Sequence, residues 1–199
     1  MFALLLLAHT VQAAGNEVSV SLSTLSTPYD HWDYLSGRDG LRGWGLRGGY
    51  GLGDHTTIVL GWQHGADGGD LYAGSDEEQD LRMALYTNRF SLGPKLDIQP
   101  LTWLHPYATA QATVLWGALK MDDDLQDDEN PNQIRENGLA PGGLAALGLD
   151  FIPARVDRTV RPAMSLELGY ALTVPLELGD LGEIPFRGFY VDWGVGVRF

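Results

Sequence analysis

The final eleven residues, Phe189-Tyr190-Val191-Asp192-Trp193-Gly194-Val195-Gly196-Val197-Arg198-Phe199, alternate strictly between two kinds of side chain. Phe189, Val191, Trp193, Val195, Val197 and Phe199 fall on one face, and Tyr190, Asp192, Gly194, Gly196 and Arg198 on the other. A period of two means a strand with different surroundings on its two sides. One side is wholly apolar, while the other carries an acid, a base and glycines. The pattern suits a strand whose apolar side meets lipid and whose polar side meets a filled interior. Ten steps at about 3.3 Å, shortened by a tilt of about 40°, give a height of roughly 25 Å. That is the apolar thickness such a strand must cross, with Phe189 and Phe199 at its two interfaces. A soluble antiparallel strand is the competing reading of the segment.

A terminal strand of this kind, ending on Phe199, resembles the sorting signal of bacterial outer-membrane β-barrel proteins. The resemblance implies that Phe189, Val191, Trp193, Val195, Val197 and Phe199 are read by the barrel-assembly machinery.

At 199 residues the chain is expected to form one domain. A formal charge of −13 argues against nucleic acid as a partner. The chain has no cysteine, which fits export without disulfides but does not require it. No run of 18 apolar residues is present, so no transmembrane helix is expected. Residues 1–14 read as a secretory signal, with an apolar core at Phe2–Ala8 and a cleavage site at Val11-Gln12-Ala13. No Lys or Arg precedes Arg38, so the signal is expected to begin further upstream. A buried N-terminal helix is the alternative for this segment. Residues 15–199 are assigned to the barrel.

Seven further amphipathic segments precede the last one. They fall near residues 16–25, 42–52, 56–64, 80–88, 106–120, 143–151 and 162–174. A turn centred on Gly53 would place Trp44 opposite Trp62 and Leu46 opposite Leu60. In the fourth segment Leu81, Met83 and Leu85 are read as outward against Arg82, Ala84, Tyr86 and Asn88, with the phase lost at a bulge near Arg89. Long connections are expected over residues 26–41, 65–79, 121–142 and 175–186, with shorter ones between. Long outside loops and shorter periplasmic turns are what outer-membrane barrels show, and an even strand count puts both termini on the periplasmic side. The fold class is all-β: an eight-stranded antiparallel up-and-down transmembrane β-barrel. It resembles the small outer-membrane barrels that include the OmpA transmembrane domain, OmpX and OmpW.

The inward positions include Arg47, Arg82, Asp150, Glu167, Asp192 and Arg198, three bases and three acids. An eight-stranded barrel is just wide enough for side chains to fill, and unpaired buried charges are costly. These six are therefore expected to form an ion-pair network that plugs the lumen. Two long connections are acidic: Asp67, Asp70, Asp76, Glu77, Glu78 and Asp80 in one, and residues 122–130 in the other. They lack the spaced ligands and central Gly of a helix-loop-helix calcium site, so they read as solvated loops or as bridges through divalent ions to lipid head groups. His31 with Asp30, Asp33 and Ser36, and His64 with Ser75, are the residues a lipid-modifying enzyme would use, but no spacing among them forces a triad.

No catalytic, cofactor or metal residues are assigned. The expected protein is a monomer in the bacterial outer membrane, multi-pass, with lipid as its main partner and a structural or surface-interaction role. A narrow gated pore, a lipid-modifying enzyme and a soluble periplasmic lipocalin-like barrel are the alternatives.

Overall fold

Alternation is strong enough along most of the chain to dictate extended backbone, and the structure follows it. A computed structural model describes residues 16–26, 40–53, 55–72, 80–98, 103–123, 134–153, 160–179 and 183–199, with side chains at 68–72, 80–83, 121–123 and 134 left out. The strands are β1 Glu17–Ser26, β2 Gly40–Gly51, β3 Thr56–Tyr72, β4 Asp80–Asp97, β5 Leu104–Asp123, β6 Ile134–Phe151, β7 Arg161–Thr173, β8 Leu176–Glu177, β9 Glu183–Ile184 and β10 Arg187–Arg198. Eight of them, β1 to β7 and β10, close into one antiparallel barrel in chain order, and β8 and β9 form a separate two-stranded ribbon. Closure joins β1 to β10, and Asn16 and Phe199 exchange backbone hydrogen bonds of 3.2 and 2.9 Å at the seam. A closed sheet leaves no unpaired edge.

The registers set the width of the barrel. Ser26 is level with Phe189, Tyr170 and Ala145 along one direction. Continuing through Ala110, Pro94, Ile58 and Tyr50 returns to β1 one residue beyond the Glu17↔Gly49 pair, at Asn16. A stagger of ten residues over eight strands, from Ser26 to Asn16, gives a tilt of about 40° and a backbone radius of about 8 Å. Such a lumen holds side chains and little else.

The two faces separate cleanly. Phe189 is 72 % exposed and Tyr190, next in the chain, 1 %. Leu22, Trp44, Leu46, Leu60, Phe90, Leu92, Leu147, Leu168 and Trp193 are likewise exposed on the outer surface, while Glu167, Asp192, Lys95 and Asp150 are buried inside. The usual arrangement of a soluble protein is inverted.

Four sequence expectations change. The β2–β3 register pairs Trp44 with His64 and Leu46 with Trp62. Leu52 N–H donates to Thr56 C=O at 2.8 Å next to the Gly51↔Thr57 pair, so the register is shifted by two residues from the expected one. An even slip leaves the faces unchanged, and Trp44 and Trp62 still meet edge to face, 4.9 Å between centroids.

In β4 the phase is the reverse of the expected one: Leu85, Thr87 and Arg89 are buried, and Tyr86, Phe90, Leu92 and Leu96 are exposed. There is no bulge, since the β3–β4 register runs unbroken from Thr56↔Leu96 to Tyr72↔Asp80. The error arose because Leu85 lies where the lumen itself is apolar, so an apolar residue there does not mark the outer face.

The strands at the long-loop end also run further than expected. β3 reaches Tyr72 and β5 reaches Asp123, with β6 beginning at Ile134, so the 65–79 and 121–142 connections are partly strand. Finally, the described residues of the 175–186 connection are not a free loop. Their β8–β9 ribbon folds into the barrel mouth, where Leu176, Leu178 and Phe186 are each 0 % exposed.

Candidate functional site

Parity along the strands decides what fills the lumen. The filling is layered from the end carrying the termini to the end carrying the long connections. In the lowest layer Arg198 donates to Asp97. Just above, Lys95 Nζ donates to both oxygens of Glu17 at 3.0 and 2.8 Å and to Asp150 Oδ2 at 2.6 Å. Its ammonium also lies 4.3 Å from the Tyr107 ring centroid, a cation–π contact.

The middle layer is built on Glu167. Arg47 forks onto it through Nη1 at 2.9 Å and Nη2 at 3.1 Å, and Tyr107 Oη donates to it at 3.0 Å. Two parallel charge-assisted bonds fix the guanidinium plane as well as holding it. Asp192 adds a second carboxylate, 3.9 Å from Arg47. Tyr107 fits because its neighbour across β5–β6 is Gly148. A Cβ there would lie 2.2 Å from the Tyr107 ring.

Gln63 links this layer to the next. Its Nε2 donates to Asp192 Oδ1 at 3.2 Å and to Tyr190 Oη at 2.6 Å, while its Oε1 accepts from Arg89. The Arg89 guanidinium sits 4.6 Å over the Tyr190 ring.

Above Arg89 the lumen turns apolar. Leu25, Leu41, Leu85, Leu115, Leu119 and Ala140 of the barrel pack with Leu176, Leu178, Ile184 and Phe186 of the strap at residues 174–186. The strap is clamped at its base. Thr173 donates through N–H and Oγ1 to Phe186 C=O at 3.2 and 2.9 Å, and Val174 N–H donates to Pro141 C=O at 2.9 Å. Gly117 and Gly138, paired across β5–β6, form the notch that receives it. A Cβ at Gly117 would lie 2.4 Å from a Leu176 methyl, and one at Gly138 would lie 2.2 Å from the Glu177 carbonyl oxygen. Gly179, at φ 50°, turns the strap back.

Two small cavities remain. One, about 30 Å³, lies between the Gln63–Arg89 layer and the strap, also touching Thr113, Thr173 and Phe186. The other, about 20 Å³, lies among Glu17, Arg47, Lys95 and Asp150. Each has room for about one or two waters, and the Arg47–Glu167 layer separates them.

The structure places Arg47, Asp150, Glu167, Asp192 and Arg198 in the lumen, in three groups rather than one. Arg47 joins Glu167 and Asp192, Asp150 joins Lys95, and Arg198 joins Asp97. Arg82 lies in β4 opposite Asp70 and Asp122 in backbone register, and its side chain is outside the described ones. Lys95, Asp97 and Arg89 were missed because the β4 phase was read from Leu81–Leu85; alternation read from Phe90, Leu92 and Leu96 would have placed all three inside. Glu17 precedes the alternating Val18-Ser19-Val20 by one residue and shares the parity of Ser19.

Phe189, Val191, Trp193, Val195 and Val197 are exposed on the outer face of β10, and Phe199 is half-buried at the seam. His31, Asp30, Asp33, Ser36, Ser75 and residues 1–15 lie outside the described residues, as do the acidic side chains at 70–80 and 122–130. His64 points outward from β3, against Asn88.

No family model matches the chain, and no curated protein sequence does either. Solved structures do match in fold. The outer membrane protein OprG of Pseudomonas aeruginosa superposes with a TM-score of 0.54 at 12 % identity, over 96 % of this chain and 99 % of that one. The attachment invasion locus protein Ail of Yersinia pestis gives 0.47 at 12 % identity, over 94 % and 98 %. Neisserial surface protein A gives 0.45 at 14 % identity, over the same shares. The chain has the fold of the small eight-stranded outer-membrane barrels.

Proposed function

We propose that the chain is a monomeric outer-membrane barrel with a closed lumen, serving to brace the membrane or to present its long loops at the surface. The carrying observation is the inverted distribution of side chains: large apolar residues exposed all round the outer wall, and charged residues paired inside it. Only a hydrocarbon solvent makes both halves favourable, since water would leave the outer belt unburied. The fold shared with OprG supports the same reading. The long connections would face outside and the termini the periplasm. Residues 1–14 would act in export, and the outward row from Phe189 to Phe199 would serve assembly. In support of the closed lumen, the Arg47–Glu167 layer crosses it and, among the described residues, an apolar strap caps it.

A narrow pore is the second reading, favoured by the two water-sized cavities on either side of that layer. Planar-bilayer recording of the purified barrel separates the two. The closed-lumen reading expects no steps above background for the native chain. Steady single-channel steps would replace it with the pore.

A further inference from the structure

Among the described residues the outer wall carries a polar cluster at the long-loop end of β2 to β4. Trp44 of β2, Trp62 and His64 of β3, and Asn88 of β4 stand together on the outward face. The indoles meet edge to face, and His64 lies 6.3 Å from each. Trp62 Nε1 donates to Asn88 Oδ1 at 3.2 Å, and His64 Nδ1 lies 3.2 Å from the same oxygen. An indole nitrogen only donates, so the Asn88 atom facing it must be the oxygen. An amide oxygen only accepts, so His64 must carry its proton on Nδ1. The ring's second nitrogen, Nε2, is thereby left on the opposite edge to meet something else.

Arg42 is exposed on the same face, two residues from Trp44 toward the long-loop end. Trp44 pairs directly with His64, which makes Arg42 the diagonal neighbour of His64, with Cβ atoms about 7 Å apart. On the adjoining β1 the outward face turns polar at the same level: Leu22 gives way to Thr24 and Ser26, and Thr24 pairs with Arg42. On β10 the change comes later, where Arg187 lies two residues beyond Phe189, the partner of Ser26. This is the upper border of the apolar belt, the depth at which Trp side chains anchor and lipid phosphates lie.

We infer that Arg42 and His64 are the two arms of a binding site for the phosphate of a lipid head group in the leaflet at the long-loop end, with Trp44 and Trp62 as its wall. The assignment rests on the membrane reading above. A guanidinium binds phosphate oxygens in a bidentate fork, and Nε2 of His64, the acceptor nitrogen of this tautomer, can accept a hydrogen bond from a P–OH of the same group. In a chain of charge −13, the outward guanidinium of Arg42 at this height complements an anion in the bilayer. Asn88 is a positioning residue that sets the ring and its tautomer.

The test uses the full chain in nanodiscs of zwitterionic phospholipid doped with a bisphosphorylated glycolipid or with the same glycolipid after phosphate removal. Lipid retained after detergent extraction is counted by native mass spectrometry. The native chain should retain the phosphorylated form about tenfold more than the dephosphorylated one, the effect of one charge-assisted contact. Arg42→Gln and His64→Phe should each bring that ratio close to one, Arg42→Lys should restore part of it, and Arg161→Gln, on the opposite rim, should leave it unchanged. A ratio near one for the native chain, or an unchanged ratio in the Arg42→Gln, His64→Phe double variant, would overturn the site. So would equal displacement of both glycolipids by inorganic phosphate alone. Failure of the native chain to enter nanodiscs of either composition would overturn the membrane reading and this one with it, whereas normal entry with unchanged ratios would overturn the phosphate site alone.

Discussion

At the residue scale, the decisive quantity is the cost of a buried charge that loses its partner. Glu167 is 0 % exposed and receives three hydrogen bonds, two from Arg47 and one from Tyr107. Glu167→Leu leaves the Arg47 guanidinium in the lumen with only the longer contact to Asp192. We expect a loss of about 3–5 kcal/mol, measured by urea unfolding in lipid vesicles. The Arg47→Met, Glu167→Leu, Asp192→Asn triple variant should recover most of that loss, because it leaves no charge of this layer buried without its partner. Equal destabilisation by the single and triple variants would show that these charges are not coupled. Parity alone located both residues in the sequence, since Arg47 and Glu167 lie in segments of unambiguous alternation. Lys95 is legible only from the alternation of Phe90, Leu92 and Leu96, which places it inside, and not from Leu81–Leu85.

At the element scale, the strap shows where a sequence pattern becomes too short to read. Its strands, Leu176–Glu177 and Glu183–Ile184, are two residues each, and prolines at 175 and 185 give the stretch the look of an open loop. The information sits elsewhere, in the glycines of β5 and β6 that receive it. Gly117 could yield by rotation of the Leu176 side chain, but Gly138 faces the backbone carbonyl of Glu177, which cannot move without the strap. Gly138→Ala should therefore lift the strap out of the mouth while the barrel below stays intact. Limited proteolysis of vesicle-inserted protein is the check. New cleavage between Leu176 and Ile184 is expected in the variant, with the native strap protected by its buried leucines. Unchanged resistance would mean that the notch does not hold the strap in place. The β4 phase failed for a related reason, because the strap and its partners make the upper lumen apolar and erase the contrast between faces.

At the scale of the whole molecule, the fold class was the most legible feature. Strand number, antiparallel order and closure all follow from a period of two repeated along the chain, and an even slip in the β2–β3 register could not disturb it. Pairing partners were less legible, because they depend on three-dimensional stagger around the barrel. The central claim is that the outer wall of this barrel faces lipid. The absence of native cysteine allows a clean scan. On β5, Ala110, Ala112 and Val114 are exposed on the wall, whereas Thr109, Gln111 and Thr113 are buried in the lumen. Single cysteines at the three wall positions would be spin-labelled in the unfolded chain, the protein folded into vesicles, and the collision rates of each label with oxygen, which concentrates in hydrocarbon, and with a water-soluble nickel chelate compared. Frequent collision with oxygen and little with the chelate at 110, 112 and 114 is the predicted result. Free collision with the nickel chelate at these positions would contradict a lipid-facing wall.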